Sequence, residues 1–145
     1  MLAFTACLVF LQMEPMPTSK LIERFPNCVS LLSAAKSHGL DPLVIGSIAY
    51  RESRFAKEET SSKGAVGILQ VLPKYWCPRG RRKGCNLTLA GFKAWKTYRR
   101  GRTMREALCR YSSGSRCSRN RGGRLYAKRV LSTFNKLKRT MRIKD

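Results

Sequence analysis

Apolar side chains recur every three to four residues along most of the chain, which is the spacing of one face of an α-helix. Residues 19 to 37 carry this pattern in one or two helical stretches that are predicted to end at His38. Asp41 and Pro42 then supply an N-cap acceptor and a proline at the first helical position, so another helix is predicted to begin there. This repeated periodicity predicts a mainly α fold.

Later segments show the same periodicity with two interruptions. Helices are predicted from Thr88 and from Thr103, where Glu106 completes a capping box, and the string RLYAKRVLSTFNKLKRTM predicts the last one. The first interruption is GAVGILQVLP, in which two glycines precede an apolar run that Pro73 stops. The second is residues 74 to 87, which contain a proline, two glycines and many basic residues. We expect an irregular loop or a small hairpin in this second segment and helical structure elsewhere.

The helix that begins at Asp41 has an acid on its apolar face. The face runs through Ile45, Ile48, Ala49, Glu52 and Phe55. Burial disfavours a charged carboxylate and raises its pKa, so a glutamate in this position can hold a proton near neutral pH and donate it to a leaving group. The alternative is that Glu52 lies at a frayed helix end and pairs with Arg51 or Arg54, and spacing alone does not decide between the two.

The charge of the chain is concentrated in one half. The 145 residues are enough for one domain with a single core, 43% of them are hydrophobic, and the formal net charge is +22. Residues 1 to 73 carry 7 basic and 6 acidic side chains, whereas residues 74 to 145 carry 23 basic side chains and only Glu106 and Asp145 as acids. This asymmetry predicts a polyanionic partner, for which nucleic acid, lipopolysaccharide, teichoic acid and anionic lipid all qualify.

Residues 1 to 18 form an apolar N-terminal segment. The opening string MLAFTACLVFLQM lacks the basic start of a signal peptide and is shorter than the roughly 20 residues of a membrane-spanning helix. We interpret this segment as a weak or truncated export signal, with a buried N-terminal segment as the alternative. Residues 19 to 145 then form the domain, whose C-terminal half is basic.

Six cysteines occur in the chain, and two pairs of them share a spacing of eight residues. Local bridges Cys77–Cys85 and Cys109–Cys117 would suit an oxidising compartment, although four cysteines allow three connectivities and the sequence does not choose between them. Free buried thiols are the alternative. Because the chain has no Cys-x-x-Cys pair and a single histidine, no metal site is predicted.

The sequence around Glu52 resembles the lytic transglycosylase and goose-type lysozyme superfamily. Members show Glu-Ser-x-Phe, a serine nine residues after the glutamate, a glycine-alanine pair from the twelfth, and Gly-Leu-Met-Gln ending in a proline. The matching positions here are Glu52, Ser53, Phe55, Ser61, Gly64, Ala65, Gly67, Gln70 and Pro73. Farther on, ALCRYSSG resembles the family's Ala-Leu-x-x-Tyr-Asn-x-Gly, with Ser112 in place of asparagine, and RLYAKRVL resembles its closing Tyr-x-x-x-Val helix.

This resemblance implies a lysozyme-like, mainly α (α+β) fold and a peptidoglycan lytic transglycosylase that needs no cofactor. In the family, the catalytic glutamate protonates the oxygen between N-acetylmuramic acid and N-acetylglucosamine. It then takes the proton of the C6 hydroxyl, so that a 1,6-anhydro ring closes. Glu52 would have that role here, and the implied substrate-binding residues are Ser61, Gln70, Tyr111, Ser112 and Tyr126. Tyr111 would lie near enough to orient Glu52.

The same resemblance implies peptidoglycan strands as the partner of a monomer that acts in the cell envelope or outside the cell, either exported or delivered by a phage. The basic half would hold the protein on anionic envelope polymers, without recognition of a specific nucleic acid. For Gln70 the alternative is a helix-end cap, and for Tyr111 it is a half-buried core aromatic. Tyr126 lies at helical spacing from Val130, which is more typical of a core residue.

Three other functions remain open from the sequence. The first is a hydrolytic, goose-type-like lysozyme, in which Glu58 or Glu59 would position a water. The second is a basic nucleic-acid-binding protein, which the charge permits but which does not explain an acid on an apolar helical face. The third is direct membrane disruption by the C-terminal helix, an activity that is compatible with catalysis.

Overall fold

The computed structural model describes residues 1 to 143, which fold into seven α-helices joined by short turns and one long loop. In chain order the helices are α1 (Leu2–Gln12), α2 (Thr18–Ser37), α3 (Pro42–Ser53), α4 (Pro73–Trp76), α5 (Leu87–Arg99), α6 (Met104–Ser113) and α7 (Arg121–Thr140). Short 3-10 turns cover Pro78–Gly80 and Gly114–Arg119. The mainly α prediction is thus confirmed, and none of the helices in the described part is long and apolar enough to cross a membrane.

The helix starts follow the capping signals of the sequence. The Asp41 carboxylate accepts a hydrogen bond from the Leu43 amide at 2.9 Å, and the Thr103 hydroxyl accepts one from the Glu106 amide at 3.2 Å. Helix α5 begins at Leu87, one residue before the predicted start, because Asn86 rather than Thr88 is its N-cap. Each of these side chains satisfies an amide that the first helical turn leaves without an intrahelical partner.

Helix α3 lies at the centre of the molecule. All residues from Leu43 to Tyr50 are buried, since α3 packs against α2 and α7 as well as α1. At Gly46 a β-carbon would come within 2.6 Å of the Phe10 ring, so the glycine permits the close approach of α1 to α3. A helix surrounded in this way gives its C-terminal end, where Glu52 lies, a rigid support.

The apolar N-terminal segment is part of this core. Ala6, Cys7 and Phe10 of α1 are fully buried, and a disulfide joins Cys7 to Cys28 of α2. This packing agrees with the alternative in which residues 1 to 18 are a buried N-terminal segment. An export role for residues 1 to 18, and a domain boundary after them, stay predictions.

Both predicted local disulfides are present, together with the Cys7–Cys28 bridge that the spacing gave no reason to expect. Cys77 is bonded to Cys85, and Cys109 to Cys117. The alternative of free buried thiols is therefore wrong for the described residues. The Cys109–Cys117 bridge ties the 3-10 turn Gly114–Arg119 back onto α6.

The segment 74 to 87 contains an irregular loop, which is one of its two predicted forms, and the extended pairing lies earlier in the chain. Residues 77 to 86 form a 3-10 turn and irregular backbone, whereas isolated antiparallel bridges join Thr60 to Val66 and Val66 to Val71. The segment 64 to 71 is not helical because Gly67 has a φ of 82° and Gln70 a φ of 50°, which no right-handed helix accommodates. The apolar run of GAVGILQVLP is thus a tight, buried loop.

Candidate active site

The chain turns sharply immediately after Glu52. Arg54 and Phe55 have left-handed backbone angles, with φ of 50° and 65°, so helix α3 ends at Ser53. Such a conformation is strained for a bulky residue, and it is fixed here because Phe55 is fully buried and its carbonyl accepts a 2.9 Å hydrogen bond from the buried Asn27 side chain. Phe55 therefore lies beyond the end of α3 and packs into the core from there. The prediction that Phe55 belongs to the apolar face of this helix is wrong.

Residues 64 to 71 form a glycine-rich loop, and two helices hold this loop next to Glu52. The Ser53 hydroxyl donates a 2.8 Å hydrogen bond to the carbonyl of Ile68, and the Tyr111 hydroxyl donates a 2.6 Å bond to the carbonyl of Leu69. Ile68 and Leu69 are both buried, so their carbonyls would lack partners without these two side chains. The serine that follows the glutamate in the sequence motif thus fixes the loop that lies beside it.

A cleft of about 980 Å³ opens between this loop and helices α5, α6 and α7. Every residue that we predicted for catalysis or substrate binding lines it, namely Glu52, Ser61, Gln70, Tyr111, Ser112 and Tyr126. These residues come from α3, the loop, α6 and α7, which the fold brings together across up to 74 positions of sequence. Their roles in binding and catalysis remain a proposal, developed below.

Some of the polar side-chain atoms of Ser61 and Gln70 form hydrogen bonds with the backbone of the loop. The Ser61 hydroxyl accepts a 3.0 Å hydrogen bond from the Ala65 amide and so holds the start of the loop. The Gln70 amide nitrogen donates to the carbonyls of Glu59 and Gly67, at 3.0 and 2.9 Å. The Gln70 side-chain oxygen has no partner among residues 1 to 143 and remains available to a ligand in the cleft.

The three predicted residues on α6 and α7, Tyr111, Ser112 and Tyr126, differ in the hydrogen-bonding groups that they leave free for a ligand. The Tyr111 hydroxyl uses its hydrogen on the Leu69 carbonyl, so it does not donate to Glu52, and the predicted orienting contact is not formed. Ser112 is exposed on the cleft wall. Tyr126 is half-buried, and its hydroxyl is shielded from solvent and lacks a partner in the described part of the protein. Tyr126 thus has an unused donor in the cleft.

Glu52 is half-buried, and burial raises the pKa of its carboxyl group to about 8. The pKa values of Tyr111 and Tyr126 are also raised, first by burial and then by the nearby Glu52 carboxylate, so both tyrosines stay neutral at physiological pH. At pH 7 Glu52 is mostly protonated. A protonated carboxyl group on a cleft wall can act as a general acid.

The neighbouring arginines do not neutralise Glu52. Arg51 donates from its Nε to the Thr133 hydroxyl at 2.9 Å, and Arg54 forms an ion pair with Glu14. No hydrogen bond or ion pair to the Glu52 side chain occurs within residues 1 to 143. The alternative in which Glu52 merely pairs with Arg51 or Arg54 is therefore wrong for this structure.

Glu52 is the single carboxylate among the described residues that line the cleft. Glu58 is exposed and lies 3.6 Å from Arg82, and Glu106 pairs with Arg110 at 3.3 Å. Glu59 lies in a separate, smaller pocket that Glu52 also lines. Asp145 lies outside the described residues.

Three aromatic side chains of the cleft are not among the residues that we predicted for substrate binding. Tyr75, Trp76 and Tyr98 line it, and Tyr75 is 66% exposed, as a platform for a flat ligand would be. Trp76 and Tyr98 meet edge to face with ring centroids 5.6 Å apart. Trp95, by contrast, is buried in the core. The adjacent aromatics at 75 and 76 were the available signal. We expected irregular backbone there, which does not predict the direction of a side chain, whereas the two residues lie in the short helix α4.

Comparison with known proteins supports the resemblance for the part of the chain around Glu52. Residues 30 to 84 match the family model described as the Transglycosylase SLT domain, whereas no significant match was found among curated proteins or solved structures. The match includes Glu52, Ser61 and Gln70, and it ends before α6 and α7. It confirms the family resemblance and supports a function of lytic transglycosylase type on peptidoglycan, in or outside the cell envelope.

Proposed function

We propose that the protein is a peptidoglycan lytic transglycosylase in which Glu52 acts first as a general acid and then as a general base. The observation that carries this proposal is a half-buried glutamate with a pKa of about 8, on the wall of a cleft in which the described residues provide no second carboxylate. Most glycosidases need two carboxylates. A reaction in which one group serves twice suits a cleft with one acid.

In the first step, the Glu52 carboxyl proton passes to the oxygen between N-acetylmuramic acid and N-acetylglucosamine, and the bond from C1 to that oxygen breaks. The acetamido group of the muramic acid stabilises the positive charge at C1. In the second step, the Glu52 carboxylate takes the proton of the C6 hydroxyl as the C6 oxygen bonds to C1. The 1,6-anhydro ring closes, Glu52 is protonated again, and no water is consumed.

Groups along the cleft are suited to holding a glycan strand for this reaction. The free side-chain oxygen of Gln70 and the Ser112 hydroxyl can bond to hydroxyl and acetamido groups, and the unpartnered Tyr126 hydroxyl can donate to either. Tyr75 offers an exposed ring against which a sugar can pack. Ser61 acts through the loop that it holds.

The basic C-terminal half provides a second attachment to the cell wall. Exposed basic side chains of α7 include Arg121, Lys128, Arg129, Lys136 and Arg139. Phosphate- and carboxylate-rich envelope polymers would be attracted to this helix in a salt-dependent way and would keep the enzyme close to its substrate. Such attraction does not require a specific nucleic acid or a second subunit.

A hydrolytic lysozyme is the second candidate, and one observation favours it. Glu59 lies in the smaller pocket that Glu52 also borders. If Glu59 activated a water there, the same bond would be cleaved by hydrolysis and the product would have an ordinary reducing end. The two candidates differ by one water in the mass of the product.

Mass spectrometry of fragments released from purified peptidoglycan tests the proposal. We expect wild-type protein to release fragments one water lighter than hydrolysis products, and Glu52→Gln, which keeps the size of the side chain but cannot donate or accept the proton, to release none. Hydrated products that disappear in Glu59→Gln would establish the hydrolase instead. Cleavage by Glu52→Gln at the wild-type rate would refute both mechanisms.

A further inference from the structure

A second, smaller pocket also borders Glu52. Its volume is about 310 Å³. The residues that line this second pocket are Glu14, Arg24, Tyr50, Arg51, Glu52, Ser53, Arg54 and Glu59. All of them are polar or charged, so the second pocket is suited to an ionic group and not to the apolar face of a ligand.

Two hydrogen-bond donors of the second pocket have no partner in the described part of the protein. Tyr50 is 5% exposed, and its hydroxyl is buried without a hydrogen bond. The Nε of Arg24 is likewise buried and unpartnered. Buried polar groups are rarely left in this state, because the lost hydration is not replaced. Two unused donors in one pocket indicate that an acceptor from outside the chain belongs there.

The charges around these donors favour an anion. The Arg51 and Arg54 guanidinium carbons lie 5.8 and 6.0 Å from the centre of the Tyr50 ring, so positive charge surrounds that side chain. Burial raises the pKa of Tyr50, which keeps its hydroxyl a donor. Among the acids, Glu14 is already paired with Arg54. A carboxylate matches the chemistry of Arg24 and Tyr50, since its oxygens accept hydrogen bonds and its charge is opposite to that of Arg24.

The position of Glu52 indicates where such a carboxylate comes from. An acid that protonates a bridging oxygen lies at the bond that breaks, so a polymeric substrate continues on both sides of it. The main cleft and the second pocket both border Glu52, so each lies beside the bond that breaks. Peptidoglycan strands carry short peptides with free carboxylates, and amino groups of the same peptides would be attracted to Glu59 at the pocket.

We propose that the second pocket binds a carboxylate of the peptide carried by the glycan strand, through Arg24 and Tyr50. This inference rests on the proposed function for its substrate and adds a preference for strands that retain their peptides. It assigns roles to α2 and to the region between α1 and α2, which the sequence motifs do not include. Arg24 and Tyr50 are specificity residues here and take no part in proton transfer.

The first test compares kcat/KM on peptidoglycan that carries its peptides with kcat/KM on strands from which an amidase has removed them. We expect wild-type protein to prefer the peptide-bearing strands by about tenfold, as for a lost hydrogen bond to a charged group. This ratio should fall toward one in Tyr50→Phe and in Arg24→Met. Lys20→Met, which removes an exposed charge one turn earlier in α2, should keep the wild-type ratio. An unchanged ratio in Tyr50→Phe and Arg24→Met would overturn the inference.

The second test measures binding without catalysis. The probe is the dipeptide N-acetyl-alanyl-glutamate, titrated into Glu52→Gln protein while the amide signals of α2 and α3 are followed by NMR. Saturable shifts that the bis-amide of the dipeptide does not produce, and that Tyr50→Phe weakens, would support the pocket even if no strand were cleaved. Absence of such shifts, together with normal cleavage, would leave the proposed function standing and remove this one.

Discussion

The Tyr111 hydroxyl of α6 donates a 2.6 Å hydrogen bond to the carbonyl of Leu69, 42 residues earlier in the chain. The Ser53 hydroxyl, next to Glu52, binds the adjacent carbonyl of Ile68 in the same way at 2.8 Å. Two helices that are distant in sequence thus hold one strained loop between them. That loop carries Gln70 into the cleft, so the geometry of the site depends on both bonds.

Removal of the Tyr111 hydroxyl should therefore affect stability and activity together. In Tyr111→Phe the buried Leu69 carbonyl loses its partner, and we expect the free energy of unfolding to fall by about 1 to 2 kcal/mol. Displacement of the loop should also lower kcat/KM on peptidoglycan. Denaturant unfolding and a turbidity assay measure the two effects. Tyr98→Phe, in the same cleft but with no hydrogen bond from its hydroxyl among the described residues, is the matched control and should change neither strongly.

The raised pKa of Glu52 predicts that this residue destabilises the fold at alkaline pH. The folded protein retains the proton up to a pKa of about 8, whereas the unfolded chain releases it near 4.5, so the stability of the wild type falls as pH rises between these values. Glu52→Gln should match the wild type at pH 4 and be more stable than it at pH 8 by about 4 kcal/mol, the free energy that corresponds to this difference in pKa. Denaturation midpoints across this range provide the measurement. If the denaturation midpoints of the two proteins changed with pH in the same way, the Glu52 carboxyl group would not have a raised pKa in the folded protein.

Activity should depend on the same proton. Because the first step needs Glu52 in its acid form, kcat/KM should be high near neutrality and decline as pH passes about 8. The decline should follow a single ionisation, since the described residues offer no second acid in the cleft. A pH profile measured at constant ionic strength checks this. A rate that rose between pH 7 and 9 would show that Glu52 is not the proton donor.

The three disulfides should differ in what they support. Loss of Cys7–Cys28, by substitution of both residues with alanine, should lower the free energy of unfolding by about 2 to 4 kcal/mol, since it frees α1 from α2. Loss of Cys109–Cys117 should also raise KM, because the bridge encloses residues 112 to 116, all of which line the cleft. Thermal unfolding and steady-state kinetics on both double variants separate the two effects. If KM changed equally in the two double variants, the Cys109–Cys117 bridge would have no specific effect on the cleft.

Attachment to the envelope should be sensitive to salt. We expect binding to whole cell walls to weaken as salt rises from about 50 to 300 mM, because screening shortens the reach of the exposed charges on α7. Lys128→Gln combined with Lys136→Gln should weaken binding at low salt and reduce its salt dependence. Lys20→Gln on α2 controls for a general change of charge. The inference fails if cosedimentation gives the same binding curve for all three proteins.

Much of the helical fold was predictable because its signals are local. Asp41 and Thr103 cap helices from within one turn, and the apolar periodicity of α7 marks the face that packs against α6. The glycine-rich loop was harder, since an apolar run in itself does not distinguish a helix from a buried loop. The left-handed backbone at Gly67 and Gln70 is what makes this segment a loop and not a helix. The loop is held in place by hydrogen bonds from α3 and α6.

The sequence by itself determined the acid on an apolar helical face, the motif series around it and the uneven charge, because each depends on residue type and spacing. Only the tertiary structure decided that Tyr111 binds Leu69 and not Glu52, that Cys7 meets Cys28, and that Tyr50 and Arg24 share a second pocket with Glu52. Each of these relationships joins segments that are far apart or face in directions that spacing does not specify. They exist because helix packing brings those segments together, and packing is a property of the whole chain.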